Sequence, residues 1–125
     1  MTDAHQVLVI EDDFDIRESL MDFLEDHGYR PVGAVHGMEA LQKLGAPGLN
    51  PCMIILDLMM PVMDGRAFRE QQLLQPGLSA IPVVIISASI EAEQTAKDLN
   101  MAGHFPKPLD LKALLRVVRE HCPPD

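Results

Sequence analysis

Three acidic residues stand together at Glu11-Asp12-Asp13, directly after the apolar run Gln6-Val7-Leu8-Val9-Ile10. A second run, Cys52-Met53-Ile54-Ile55-Leu56, ends on one carboxylate, Asp57. Unbroken apolar runs of this length read as strands covered on both faces, the habit of a parallel sheet. Ligand sites in open α/β sheets form at the carboxyl ends of such strands. Carboxylates brought together there repel one another and raise each other's pKa unless a cation joins them. Hard oxygen ligands in a shallow, wet site suit Mg²⁺, which takes one or two protein carboxylates and keeps several waters. The pattern implies a divalent cation held by Asp12 and Asp57, with Glu11 in support. The plainer alternatives are an acidic helix start favoured by the helix dipole and, for Asp57, a turn cap.

An ionised Asp beside Mg²⁺ acts either as a ligand only or as a nucleophile toward phosphorus. A phosphoryl group on Asp57 would add negative charge and need donors. Two other strand ends offer them: the Ser87 hydroxyl after Pro82-Val83-Val84-Ile85-Ile86, and the Lys107 ammonium after the short run 101–106. A lysine is a compact point charge and a common phosphate partner. Pro108 restricts the backbone of Lys107 and permits a cis bond that would aim its side chain inward. Pro61 and Gly65 shape the loop leaving Asp57, and the Met59, Met60, Met63 cluster reads as packing.

The elements that must position these groups alternate regularly. The strand 6–10 is followed by a helix with Ile16, Leu20, Phe23 and Leu24 at helical intervals, a capping-box spacing at Asp15-x-x-Glu18, and Gly28 as its stop. Residues 29–35 form a weaker strand broken by Pro31 and Gly33, which suits a sheet edge. A helix over Gly37–Leu44 places Met38, Leu41 and Leu44 on one side. The Cys52 strand, a helix over 66–74, the 82–86 strand and a polar helix over 91–100 follow. The polar helix is the least committed to a core. After the short strand within 101–106, the last helix sets Leu111, Leu114, Leu115 and Val118 at core-facing intervals. Five β-α repeats with buried strands imply an α/β fold: a flavodoxin-like, doubly wound parallel sheet of order 2-1-3-4-5. In that order the first and third strands are neighbours, so Asp57 lies beside Glu11-Asp12-Asp13.

A chain of 125 residues, 47% hydrophobic and 23% charged, fits one soluble domain spanning 1–125. Residues 122–125, Cys-Pro-Pro-Asp, read as the start of a linker. The net charge of −9 argues against a nucleic-acid surface. No apolar run nears membrane-spanning length and no signal-peptide pattern opens the chain, so a cytoplasmic protein is expected. Cys52 and Cys122 match neither a zinc spacing nor a disulfide framework. Cys52, on a buried strand, reads as a small hydrophobe. The five histidines are scattered, which gives no His-based metal site.

Ile10-Glu11-Asp12-Asp13, Leu56-Asp57-Leu58-Met59-Met60-Pro61-Val62-Met63-Asp64-Gly65, Ile86-Ser87-Ala88 and Lys107-Pro108 together resemble the receiver domain of two-component response regulators. The match covers essentially the whole chain, and its four motifs fall in order on the right elements. The resemblance implies a regulatory domain, not an enzyme beyond self-catalysed phosphotransfer and autodephosphorylation. Asp57 would accept a phosphoryl group from a phosphohistidine on a sensor histidine kinase or a histidine phosphotransfer protein. Mg²⁺, with Mn²⁺ admissible, would be bound by Asp12, Asp57 and the backbone carbonyl of Met59, with Glu11 acting through water. Ser87 and Lys107 would follow and pair with the phosphoryl oxygens. The shift would be read on the fourth helix, fifth strand and fifth helix by a target protein, a fused output domain or, on phosphorylation, a second copy. One position departs from the family, which places an aromatic three residues before the lysine. Here that residue is His104, with Phe105 next, and a slip of one residue reverses the face each side chain occupies.

Two other classes are weighed. A haloacid-dehalogenase-like phosphatase also forms an aspartyl phosphate, but such enzymes resemble one another in a second Asp two residues after the nucleophile, where Met59 stands. A flavodoxin-like electron carrier would sandwich a flavin between aromatics, and this chain has no Trp and one Tyr.

Overall fold

Five-residue runs of branched apolar side chains build the centre of the protein in a computed structural model that describes residues 5–123. The chain runs β1 (Gln6–Ile10), α1 (Phe14–Asp26), β2 (Arg30–Ala34), α2 (Gly37–Leu44), β3 (Met53–Asp57), α3 (Gly65–Leu73), β4 (Val83–Ser87), α4 (Ala92–Asp98), β5 (Gly103–Pro106) and α5 (Leu111–His121). The strands are parallel in the order β2-β1-β3-β4-β5, as the alternating pattern implies. β2, with its Pro and Gly, lies at an edge, where a missing donor costs least. Every residue of β3 and β4 is buried.

Side chains alternate across the sheet with period two. Val7, Val9, Met53, Ile55, Val84 and Ile86 face Leu20 and Leu24 of α1 and Leu114, Leu115 and Val118 of α5. Leu8, Ile10, Ile54 and Leu56 face Ala40 and Leu44 of α2 and Phe68 of α3. Ile85 clusters with Leu58 and the small residues Ala92 and Ala96 of α4, with Met101 packed against them. Burying a Leu or Val side chain contributes about 1.5–3 kcal/mol, so α5 is held far more firmly than α4. A hydrogen-bonded guanidinium compensates in part. Arg69 of α3, buried, donates to the carbonyls of Leu99 (3.1 Å) and Asn100 (3.0 Å) at the end of α4 and to Gln72 Oε1 (2.8 Å).

Several local expectations are corrected. The N-cap of α1 is Asp13, whose carboxylate accepts from Ile16 N at 3.0 Å. The bend leaving β1 keeps Asp13 extended, so Asp15 falls inside the first turn and makes no capping box. On α2 the buried positions are Gly37, Ala40 and Leu44, while Met38 is exposed because a helix this short presents only a narrow stripe to the sheet. The two cysteines are not independent. Cys52, just before β3, is disulfide-bonded to Cys122, the C-cap of α5, with Cα atoms 5.7 Å apart. A separation of 70 residues hides this pairing in the sequence; it exists because the amino end of β3 and the last turn of α5 meet beneath the sheet. Cys122 is therefore a fully buried part of the fold, while Pro124 and Asp125 of the expected linker segment lie outside the described residues.

A cross-link closing a loop of this length removes conformational freedom from the unfolded chain and is worth about 2–4 kcal/mol. Reduction, or Cys52→Ala, is expected to lower the unfolding free energy by that amount, to bring the urea midpoint down with it, and to steepen the denaturant dependence, because the open unfolded chain exposes more surface. Equal midpoints in oxidising and reducing buffer would show that the bond adds nothing.

Candidate functional site

The carboxyl ends of β1, β3, β4 and β5 carry the polar residues that interrupt the apolar core. Glu11 follows β1 and is fully buried. Its backbone is fixed on both sides, by its own N–H to the Ala34 carbonyl (3.0 Å) and by the Arg17 guanidinium to its carbonyl (2.8 Å). Its Oε2 accepts from the amide of Asp13 at 3.2 Å. Asp57, the last residue of β3, is 3% exposed. Lys107, directly after β5, places Nζ 2.8 Å from Glu11 Oε1 and 3.5 Å from Asp57 Oδ1. Asp12 is exposed, and ligand oxygens of Glu11, Asp12 and Asp57 all lie within 4.8 Å of one another. The Lys107–Pro108 peptide is cis, the isomer the proline permits.

The electrostatics follow from this crowding. Burial first, and then the neighbouring Glu11 carboxylate, push the Asp57 pKa from 3.8 up to about 7; Lys107 and the Met59 amide pull the other way. Burial works to lower the pKa of Lys107, but Glu11 and Asp57 outweigh it and the net direction is up. Glu11 Oε1 has its ionic contact with Lys107 yet no aligned hydrogen-bond donor among the described residues. A buried carboxylate oxygen in that condition has room for a further positive partner. Three converging carboxylates, one of them facing solvent, fit a small hard cation that keeps part of its water shell.

Ser87 ends β4, one residue beyond the register partner of Asp57, Ile86. It is 1% exposed, and its Oγ accepts from Ser89 N at 2.9 Å, which leaves the hydroxyl proton free. Ser89 Oγ in turn accepts from Glu91 N at 3.1 Å, the residue before α4. The loop leaving Asp57 turns sharply. The amide of Met59 approaches Asp57 Oδ1 at 3.4 Å, and Gly65 N donates to Leu58 O at 2.9 Å. A Cβ on Gly65 would stand 2.7 Å from the Asp57 carbonyl, so only glycine lets α3 start this close to β3. Val62 in the same loop has φ of 67°, a left-handed value that costs a β-branched residue energy.

Every residue expected from the sequence as a ligand or phosphate partner therefore lies at this one edge. His104 pairs in register with Ile85, on the side covered by α4, and lines a hollow of about 190 Å³ with Glu93, Ala96, Lys97 and Met101. Its Nε2 is buried without a hydrogen-bond partner among the described residues. Phe105 packs in the opposite layer, with the α1 and α5 core. Sequence reasoning missed Arg17, whose only sequence signal was its place as the single base among the first 26 residues, and the Arg69 clamp, which carried none.

This edge of a 2-1-3-4-5 parallel sheet, with three carboxylates, a serine and a lysine, defines a class. The family model for the response regulator receiver domain matches residues 7–119, and the chain belongs to that family. It is therefore a regulatory domain of phosphorylation-based two-component signalling. The sporulation initiation phosphotransferase F of Bacillus subtilis is 24% identical over 119 residues, covering 94% of each chain. The response regulator MprA of Mycobacterium ulcerans is 32% identical over 91% of this chain but 48% of its own length. The chain spans roughly half of that regulator and 56% of the probable transcriptional regulator ycf29 of Porphyra purpurea. Among solved structures, the chemotaxis response regulator CheY4 of Vibrio cholerae is similar with a TM-score of 0.80 and 31% identity, covering 91% of this chain and 98% of that one.

The raised Asp57 pKa has a consequence for stability. Because the folded value lies above the unfolded one, the folded protein binds more protons between them, and stability falls as pH rises from about 4 to about 7. In metal-free buffer, Asp57→Asn is expected to match the parent near pH 4 and to exceed it at pH 8 by roughly 1–3 kcal/mol. Urea unfolding at both pH values tests this; a variant less stable than the parent at pH 8 would refute the assigned repulsion.

Proposed function

We propose that Asp57 is the phosphoacceptor of this receiver domain. The observation that carries the reading is the buried Asp57 carboxylate held between Glu11 and Lys107 at the open edge of the sheet. In the step, an Asp57 oxygen attacks phosphorus, the phosphorus–nitrogen bond of a phosphohistidine whose other ring nitrogen carries a proton breaks, and the imidazole leaves as the neutral base. The donor is a sensor histidine kinase or a histidine phosphotransfer protein. Mg²⁺, with Mn²⁺ as a substitute, fits the donor set of Asp12, Asp57, the Met59 carbonyl and, through water, Glu11; when bound it supplies positive charge to the transferring group. Lys107 pairs with a phosphoryl oxygen as the Asp57 charge it faced is transformed, and the free Ser87 proton donates to another.

An apolar trough of about 340 Å³ between α1 and the start of α5 opens beside Lys107, lined by Ile16, Leu20, Pro108, Leu109 and Leu111. It offers the donor protein a place to rest while its histidine reaches Asp57. His104 takes the switch position, supported by its place against α4, and the α4-β5-α5 face passes the signal to a target protein, a fused output domain or a second copy. No helix among the described residues is long and apolar enough to cross a membrane, and the proposed compartment is the cytoplasm. Residues 1–125 act as one receiver unit.

With acetyl phosphate and Mg²⁺, intact-mass analysis is expected to show one phosphoryl adduct per chain. Asp57→Asn abolishes it. Lys107→Ala, which removes a charged donor from the developing oxyanion, slows its formation by about 10²-fold or more. An adduct that persists in Asp57→Asn sinks the assignment.

A further inference from the structure

The Cys52–Cys122 pair lies at the opposite end of the sheet from Asp57, and phosphoryl chemistry makes no use of it. Four segments meet there. Gln6 O accepts from the Cys52 amide at 2.9 Å, the disulfide joins Cys52 to Cys122, and the Tyr29 hydroxyl donates to Cys122 O at 2.7 Å. The Cys52 sulfur also lies 3.3 Å from Gln6 O. A thiol at Cys52 would thus find an acceptor already in place, so the fold accommodates the open pair as well as the closed one. Accessibility differs between the two sulfurs, since Cys52 is half-buried and Cys122 wholly buried.

We propose that Cys52–Cys122 is a redox modification site that sets how firmly the last turn of α5 is held, independently of phosphorylation. A small thiolate such as glutathione attacks Cys52 Sγ, the S–S bond breaks, and Cys122 leaves as a thiolate that takes up a proton. A second glutathione then releases Cys52, so one disulfide and two glutathiones become two protein thiols and one glutathione disulfide. Oxidation is the reverse. Burial, together with the negative end of the α5 dipole, disfavours the Cys122 thiolate. Exchange is accordingly slow, and the pair acts as a lasting setting more than a rapid switch. In compartments kept reducing by glutathione, a disulfide between two otherwise unused cysteines is expected to be transient and sensing. When it opens, α5 keeps its Leu114, Leu115 and Val118 contacts, while its C-cap loses the covalent tie to Cys52 and keeps the Tyr29 bond and the Cys122 N–H to Val118 O bond of 2.7 Å. The consequence for signalling rests on α5 being part of the output face; the redox site itself does not.

The full chain is equilibrated in mixtures of reduced and oxidised glutathione, free thiols are trapped by alkylation, and hydrogen exchange is followed by mass spectrometry. Both cysteines are expected to convert together and reversibly within the series. Peptides covering 117–122 should exchange roughly tenfold faster in the reduced form under conditions where exchange is by local opening, while β1 and β3 change only as far as the lowered global stability requires. Cys52→Ser, in which the buried Cys122 is retained, should reproduce the reduced pattern. A pair that stays closed in excess reduced glutathione, or stays open in excess glutathione disulfide, overturns the proposal. So does equal α5 exchange in the two forms. Acetyl phosphate labelling is measured alongside: its absence in both forms would count against the phosphoacceptor reading and leave the redox result standing.

Discussion

One ammonium stands against three carboxylates at the carboxyl edge of the sheet, and most of the architecture follows from keeping that imbalance in place. Lys107 reaches Glu11 at 2.8 Å and Asp57 at 3.5 Å, with Asp12 just outside. Like charges about 4 Å apart cost roughly 4 kcal/mol at the effective dielectric of a protein surface. With all three acids ionised the cluster carries two uncompensated negative charges. A divalent cation would cancel them. A phosphoryl group on Asp57 would then add one more, for which Lys107 and the Ser87 hydroxyl are the remaining donors. Such a cluster is costly by itself and would be relieved by a bound cation, the kind of place where a fold departs from its own stability optimum.

The remainder of the chain makes this departure tolerable. Asp57 cannot relax away from its neighbours, because β3, which carries it, is buried throughout and lies between β1 and β4, themselves almost wholly buried. The close pass of Gly65 over Asp57 and the left-handed Val62 belong to the same constraint. Strain of this kind persists only where surrounding packing over-determines it. The interior apolar layers under α1, α2, α3 and α5 supply that packing, and the Cys52–Cys122 bond ties their lower edge.

What was legible in the sequence is what local pattern determines. Strand runs, the β-α alternation and the polar residues closing each strand are all short-range signals, and the sheet order follows from chain topology. The convergence of Asp57, Glu11, Asp12, Ser87 and Lys107 on one sheet edge is therefore legible in the sequence. The disulfide was not, because nothing local to Cys52 marks a partner 70 residues away. Arg69 was hidden for a similar reason: its acceptors are backbone carbonyls at the end of another helix, which have no sequence signature. Whether His104 or Phe105 faced α4 was open because it depends on register alone. Pairing of Ile85 with His104 puts the imidazole on the α4 side and the phenyl ring in the α1 and α5 layer.

The two ends of α4 are held unequally, and this bears on how events at Asp57 would travel. Its last carbonyls are gripped by Arg69, and Met101 N returns to Ala96 O at 2.8 Å. Its first turn has no side-chain cap and follows an Ile90 that is 98% exposed, and the helix as a whole buries only Ala92, Thr95 and Ala96. That end is tied to the site by two hydroxyls in series, Ser89 N to Ser87 Oγ and Glu91 N to Ser89 Oγ. A Ser87 hydroxyl that turned to donate to a phosphoryl oxygen would carry its lone pairs away from Ser89 and weaken the first of these bonds. The second would lose its anchor in turn. Small residues give up little apolar burial when they shift, so the amino end of α4 can move at low cost. The Arg69 grip would then make any such shift a pivot about the far end of the helix, next to the hollow that His104 lines.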